Sequence, residues 1–231
     1  MSLLLVPAIT IGLSLLGYQT YVWVAGETFN GFSFDIGRLW STDVKSEENF
    51  DQIEKDIANG KLKIVYAGLL GIAQGVYKLC QELDYSNVQL HIYGAGAEQK
   101  KIENLIDRNA SLDIVYHGEV SREEIHKELT KYDITIIPLL NRIYGSVPSK
   151  IFEYARLGMP MMYFGGGEGE NIIKKHALGW IAEPSNYKSL NRIISKIDTT
   201  KLESENRIAI QKEALSNFDF NNQLNQLITL I

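Results

Sequence analysis

The chain has 231 residues, 45% hydrophobic and 22% charged, the balance of an ordinary folded protein rather than a disordered or fibrous one. Its net charge of −5 argues against a nucleic-acid phosphate backbone as a partner. A single cysteine, Cys80, excludes an intramolecular disulfide and fits a reducing compartment.

Residues 1–26 carry no charge, which raises the question of a membrane segment. No basic stretch precedes the apolar run, as a signal peptide requires. Pro7, Gly12 and Gly17 interrupt it, and Tyr18 to Val24 reads better as a strand. Residues 1–45 hold many glycines and aromatics without a helical period. Ser46 to Asn59 is predicted as a helix, with Phe50, Ile53 and Ile57 on one face and Gly60 ending it.

From Lys61 the pattern becomes regular. Strands are expected at Leu62–Ala67, Val88–Tyr93, Leu112–His117, Ile134–Leu139, Met159–Phe164 and Gly179–Ala182. Amphipathic helices fall between them. One of them places Cys80 with Val76, Leu79 and Leu83 on its apolar face, so core packing is its expected role. Ser121 and Glu124 form a capping box that opens another. A helix over Ser185–Ile197 and a helical tail from Lys201 close the chain. Strands alternating with helices predict an open, mostly parallel sheet covered on both faces. The domain organisation expected is an N-terminal segment, 1–60, and an α/β unit, 61–231.

Glycines cluster where strands end and helices begin, at Gly68, Gly71, Gly94, Gly96, Gly118, Gly145 and Gly165 to Gly167. In an open α/β sheet these junctions line the edge where ligands bind. Glycine lets a backbone approach closely, and phosphate suits such loops. Tight turns alone would also require glycine. The run Gly94-Ala95-Gly96-Ala97-Glu98 lacks the third glycine of a dinucleotide fingerprint, and no Walker lysine or Gly-x-Ser-x-Gly elbow is present. The four histidines show no metal-ligand spacing, so neither a metal nor a cofactor is expected.

The stretch from Tyr144 to Glu170 reads as loop, helix, strand and glycine-rich loop. Pro148 suits a first helical turn, Ser146 a cap, and Gly158 a helix stop. Lys150 falls in that first turn, where a cation is disfavoured unless an anion sits nearby. Glu153 is three residues on and shares its face. A plain solvated face with a Glu153–Arg156 pair is the alternative.

Five pieces in register resemble the C-terminal, donor-binding domain of GT-B glycosyltransferases of the retaining family 4, or group 1, type. K-I-V-Y-A-G-L-L-G-I-A-Q-G is similar to that family's first strand and glycine loop. L-H-I-Y-G-A-G-A-E resembles its strand followed by Gly-x-Gly-x-Glu. I-V-Y-H-G-E-V-S-R-E-E-I and Y-D-I-T-I-I-P-L resemble the next two strands with their loops. V-P-S-K-I-F-E-Y-A-R-L-G-M-P-M-M resembles the "PsKifEymalGkPvi" branch.

The resemblance implies a nucleotide-sugar donor as co-substrate and transfer with retention to an unknown acceptor, a glycan or lipid-linked glycan. It assigns the diphosphate to Gly68, Leu69, Gly71, Ser149 and Lys150, and the ribose to Glu153. It assigns the base to Gly118, Glu119 and Val120, and the donor sugar to Gly145, Ser146, Gly166 and Gly167. No catalytic residue is assigned. Three departures stand out. Gly145 occupies the place of the first glutamate of Glu-x7-Glu, Leu69 or Leu70 that of an arginine, and Gln74 that of a lysine. Lys150, with Arg142 behind it, is the substitute cation. The unit matches half of a two-domain enzyme, so a missing N-terminal acceptor domain is expected, in a cytoplasmic protein or one peripheral at the inner membrane face. A non-catalytic nucleotide-sugar-binding subunit and a related enzyme such as an epimerase remain alternatives.

Overall fold

The computed structural model describes residues 60–142 and 144–219. The strand expected at Tyr18–Val24 and the helix at Ser46–Asn59, like nearly all of the 1–60 segment, lie outside the described residues.

Six strands alternate with helices: β1 (Leu62–Ala67), α1 (Val76–Glu82), β2 (Val88–Tyr93), α2 (Gln99–Arg108), β3 (Ile114–Gly118), α3 (Arg122–Leu129), β4 (Ile134–Pro138), α4 (Lys150–Arg156), β5 (Met161–Phe164), α5 (Glu168–Lys175) and β6 (Gly179–Ile181). α6 (Tyr187–Ile194), a 3-10 turn at Thr199–Leu202 and α7 (Ser204–Asn217) follow. The strands form one parallel sheet in the order β3-β2-β1-β4-β5-β6. This is the Rossmann-like open sheet expected from the alternation of strand and helix.

Period-two alternation divides the core. Ile64 and Tyr66 of β1 face one layer with Leu79, Cys80, Leu90, Ile102 and Leu190. Val65 and Ala67 face the other, with Ile151, Tyr154, Ala155, Ile173 and Ile210. Ile64 to Ala67 of β1 are therefore buried on both faces, as a central parallel strand requires. Cys80 is buried, as its helical face predicts, and burial pushes its thiol up to about 12.

Local signals explain most boundaries. Ser121 Oγ accepts from Glu124 N at 3.2 Å and Glu124 Oε2 accepts from Ser121 N at 3.1 Å, completing the capping box. Gly158, at φ 68°, ends α4 in a Schellman turn: its N–H donates to Ala155 and that of Met159 to Tyr154. The start of α4 differs from expectation. Ser146 caps nothing. Pro148 and Ser149 form a preceding turn, and the helix begins at Lys150, with no side-chain cap on Ser149.

Candidate donor-binding site

The chain leaves β1 toward β2 and enters β4 on the opposite side, so β1 and β4 flank the topological switch point of the sheet, where open α/β folds bind ligands. The ladder between them pairs Ile64 with Ile134 and Val65 with Thr135 and ends there. The ladders on either side run on to Tyr93 and Phe164. Leu139 N donates to Phe164, so Pro138, the residue before it, turns its donor-less nitrogen toward β1. The carboxyl ends of β1 and β4 are thus left unjoined.

Two glycine loops fold onto each other at this edge. Leu70 N donates to Ala95 at 2.8 Å, and Glu98 N donates to Leu70 at 2.9 Å. A Cβ at Gly94 would strike the Gly68 carbonyl, and one at Gly96 would lie 2.6 Å from that of Leu70. These two glycines are required by loop-on-loop packing. Gly68 differs: a Cβ there would strike the Lys150 ammonium.

Lys150 is half-buried. Its Nζ donates to the Ala67 carbonyl at the end of β1, to which Tyr154 Oη also donates at 3.1 Å. The ammonium stands 6.0 Å from the Tyr66 ring and 5.8 Å from that of Tyr154, a two-sided cation–π setting. Burial lowers the Lys150 pKa, Glu153 opposes that shift, and Arg122 adds to it. Glu153 sits on the same helix. Its Oε1 lies 2.7 Å from Nε2 of His126 on α3, with the two side chains only 19% and 15% exposed. Burial works to raise the Glu153 carboxyl, but the His126 hydrogen bond and the charges of Lys150, His126 and Arg122 hold it below the usual value. Its Oε2 makes no hydrogen bond among the described residues.

α3 also carries the remote strand back to this cluster. Gly118 ends β3, and its carbonyl accepts from Gly94 N at 2.7 Å. A Cβ at Gly118 would meet nothing within 4 Å. Glu119 is exposed, whereas Val120 packs with Val147 against the α4 layer. Leu69 and Ile72 in the first loop are 63% and 67% exposed.

Gly145, Ser146, Gly166 and Gly167 lie in the two loops that follow β4 and β5. Gly145 N donates to Glu168 Oε1 at 2.9 Å, tying these loops together. Tyr163 Oη donates to the Gly166 carbonyl at 2.8 Å. Arg142 lies over the Tyr144 ring at 6.0 Å and 3.7 Å from Glu170. The cation expected behind Lys150 is therefore engaged at the β5–α5 junction. Sequence reasoning missed His126, Arg122 and Glu168, whose contacts cross from one helix or loop to another. Tyr154 stands four residues after Lys150, and helical spacing alone could have found it.

Among the described residues no cluster of three or more His, Cys, Asp or Glu side chains is placed to hold a metal ion. A cleft of about 230 Å³ lined by Lys61, Asp84, Asn87 and Asn191 lies at the opposite edge, where β1 and β2 begin. The charged cluster of Lys150, Glu153 and His126 lies instead at the carboxyl edge, where open α/β folds bind ligands.

The sequence model of the glycosyl transferases group 1 family matches residues 47–214, and the chain belongs to that family. No curated protein matches it. Among solved structures it is similar to HepE of Anabaena in complex with UDP, at 17% identity and a TM-score of 0.63, over 84% of this chain and 54% of that one. It is similar to sucrose-phosphate synthase from Thermosynechococcus elongatus, at 17% identity and a TM-score of 0.62, over 78% of this chain and 46% of that one. It also resembles the C-terminal domain of LpcC, a group 1 family protein from Francisella tularensis, at 16% identity and a TM-score of 0.58. That match covers 75% of this chain and 95% of the domain. The chain thus spans about half the length of HepE, and at these identities the likeness is one of fold. No helix of the described residues is long and apolar enough to cross a membrane.

Proposed function

We propose that this chain is the donor-binding half of a GT-B glycosyltransferase, transferring a sugar with retention from a nucleoside diphosphate sugar to a glycan or lipid-linked glycan. The acceptor would be held by a second domain. One observation carries the reading: Lys150, at the start of α4, reaches across the switch point to Ala67 and Gly68 at the end of β1. There its ammonium keeps N–H donors beyond the one given to Ala67. The diphosphate lies along Gly68, Leu69 and Gly71, with Ser149 and Lys150 on its other side. Lys150 stabilises the charge that builds on the departing diphosphate, the main electrostatic task of this chemistry. Glu153, fixed through Oε1 by His126, offers Oε2 to the ribose hydroxyls. The base rests against the backbone of Gly118, Glu119 and Val120, with open space beside the Gly118 Cα. The UDP complex of HepE supports this ligand class.

A specific observation favours a second reading, donor binding without turnover. Leu69 is exposed where the resemblance expects an arginine, leaving Lys150 as the cation at the loop after β1. Titration of UDP, GDP, ADP and their sugar conjugates into the chain tests the first claim, with saturable binding of one series expected and none contradicting it. Sugar-transfer assays after adding an acceptor domain separate the two readings. Glu153→Gln should weaken the nucleotide and spare pyrophosphate, and equal losses would reject the ribose assignment.

A further inference from the structure

We infer that Glu168 is a sugar-binding residue of this site, accepting a hydroxyl of the donor sugar on its Oε2. The inference rests on the donor-binding reading above and adds a residue that the sequence pattern does not assign.

One oxygen of the carboxylate is held by a neighbouring loop. Gly145 N donates to Oε1 at 2.9 Å, across from the β4–α4 loop to the first residue of α5. Oε2 is buried and accepts no hydrogen bond among the described residues. The Gly145 N–H first, then Glu168's own backbone N–H, keep the carboxyl below its usual value, so Oε2 belongs to an anion at neutral pH. A buried carboxylate oxygen without a donor is an expensive arrangement that folded proteins seldom leave unanswered.

The location says what would answer it. Gly145 belongs to the loop that leads into Lys150, five residues earlier. The Gly145 N–H thus ties Glu168, at the start of α5, to the loop before Lys150, whose ammonium rests on the end of β1. A ligand whose diphosphate lies against Lys150 extends its sugar along that loop. Sugar hydroxyls are neutral donors and suit a lone carboxylate oxygen, whereas a second phosphate would be repelled by it. Gly145 also stands where the resemblance expects a glutamate. The missing side chain leaves its own N–H to seat a carboxylate that arrives from the next loop.

The test compares a nucleoside diphosphate with its sugar conjugate, using UDP with UDP-glucose, GDP with GDP-mannose and ADP with ADP-glucose. Glu168→Gln keeps an oxygen for Gly145 N–H and replaces the free anionic oxygen by an amide NH2. In the series that the wild type binds, the variant should hold the diphosphate within about twofold and bind the conjugate roughly tenfold more weakly. Equal affinities for the conjugate, or equal losses on both ligands, overturn the proposal and leave the donor site standing. Absence of binding to all six ligands by the wild type removes the donor-binding reading, and this proposal with it. Monodeoxy analogues of the bound conjugate give a measurement that needs no variant to fold. One of them should lose about tenfold on the wild type, and no loss at any position overturns the proposal.

Discussion

The Lys150 ammonium donates to the carbonyl of Ala67, joining the first residue of one helix to the last residue of a strand 83 positions earlier. Tyr66 and Tyr154 enclose it from two sides, and Gly68 lies against it with no side chain between. The charge is thus stationed at the switch point of the sheet by aromatic walls and one backbone oxygen.

Gly68→Ala tests this station. Its φ of 149° is poorly tolerated by an L-residue, and the new methyl would meet Lys150 Cε at 2.8 Å. We expect a destabilisation of about 1–2 kcal/mol from the backbone together with loss of nucleotide binding, read by denaturant titration and calorimetry. Normal binding with normal stability would show that Lys150 is not confined by this glycine.

His126→Ala should release Glu153. A carboxyl whose folded pKa lies below its unfolded one stabilises the fold above the unfolded value, and that contribution is lost as pH falls through the folded pKa. The window for Glu153 therefore lies below 4.5. Without His126 the folded pKa rises, the stabilising contribution shrinks, and the acid limb of stability moves to higher pH. At neutral pH the loss should be about 1 kcal/mol. Denaturation of both proteins from neutral to acid pH measures this, and superimposable acid limbs would contradict the pairing.

Lys150 gives the opposite limb. Burial lowers its pKa, so its charge disappears at a pH below the ordinary lysine value of 10.5. Nucleotide affinity should accordingly begin to fall on the alkaline side before that value. A flat profile through it would argue against a charged Lys150 in the complex.

How far these features were legible in the residues depends on their range. Strands β1 and β2 were readable to the residue, because short runs with apolar residues at alternate positions, followed at once by Gly68 and Gly94, leave little choice. The capping box and the stop at Gly158 are encoded within six residues, so their geometry followed from spacing. The placement of Lys150 near the first loop needed the strand order, which the resemblance supplied and local patterns do not. Glu153 with His126, and Gly145 with Glu168, are pairs across helices and loops, 27 and 23 residues apart, for which no periodicity exists. The glycines were only half informative. Gly94 and Gly96 serve loop packing, whereas Gly68 serves the lysine.

A stabilising change is also expected. Ala177 follows α5 at φ 51° in a Schellman turn, with Leu178 N donating to Ile173 at 3.1 Å. Glycine adopts this conformation without strain. Ala177→Gly should raise stability by about 0.5 kcal/mol, the relief of strain exceeding the added chain entropy. A lower urea midpoint would contradict this reading.

The most direct test is calorimetric titration of UDP, GDP and ADP into the wild type and into Lys150→Met, which keeps the length of the side chain and removes its charge. The account predicts saturable binding of at least one nucleotide by the wild type, weakened roughly tenfold or more in the variant. Equal affinity in the two proteins would contradict it.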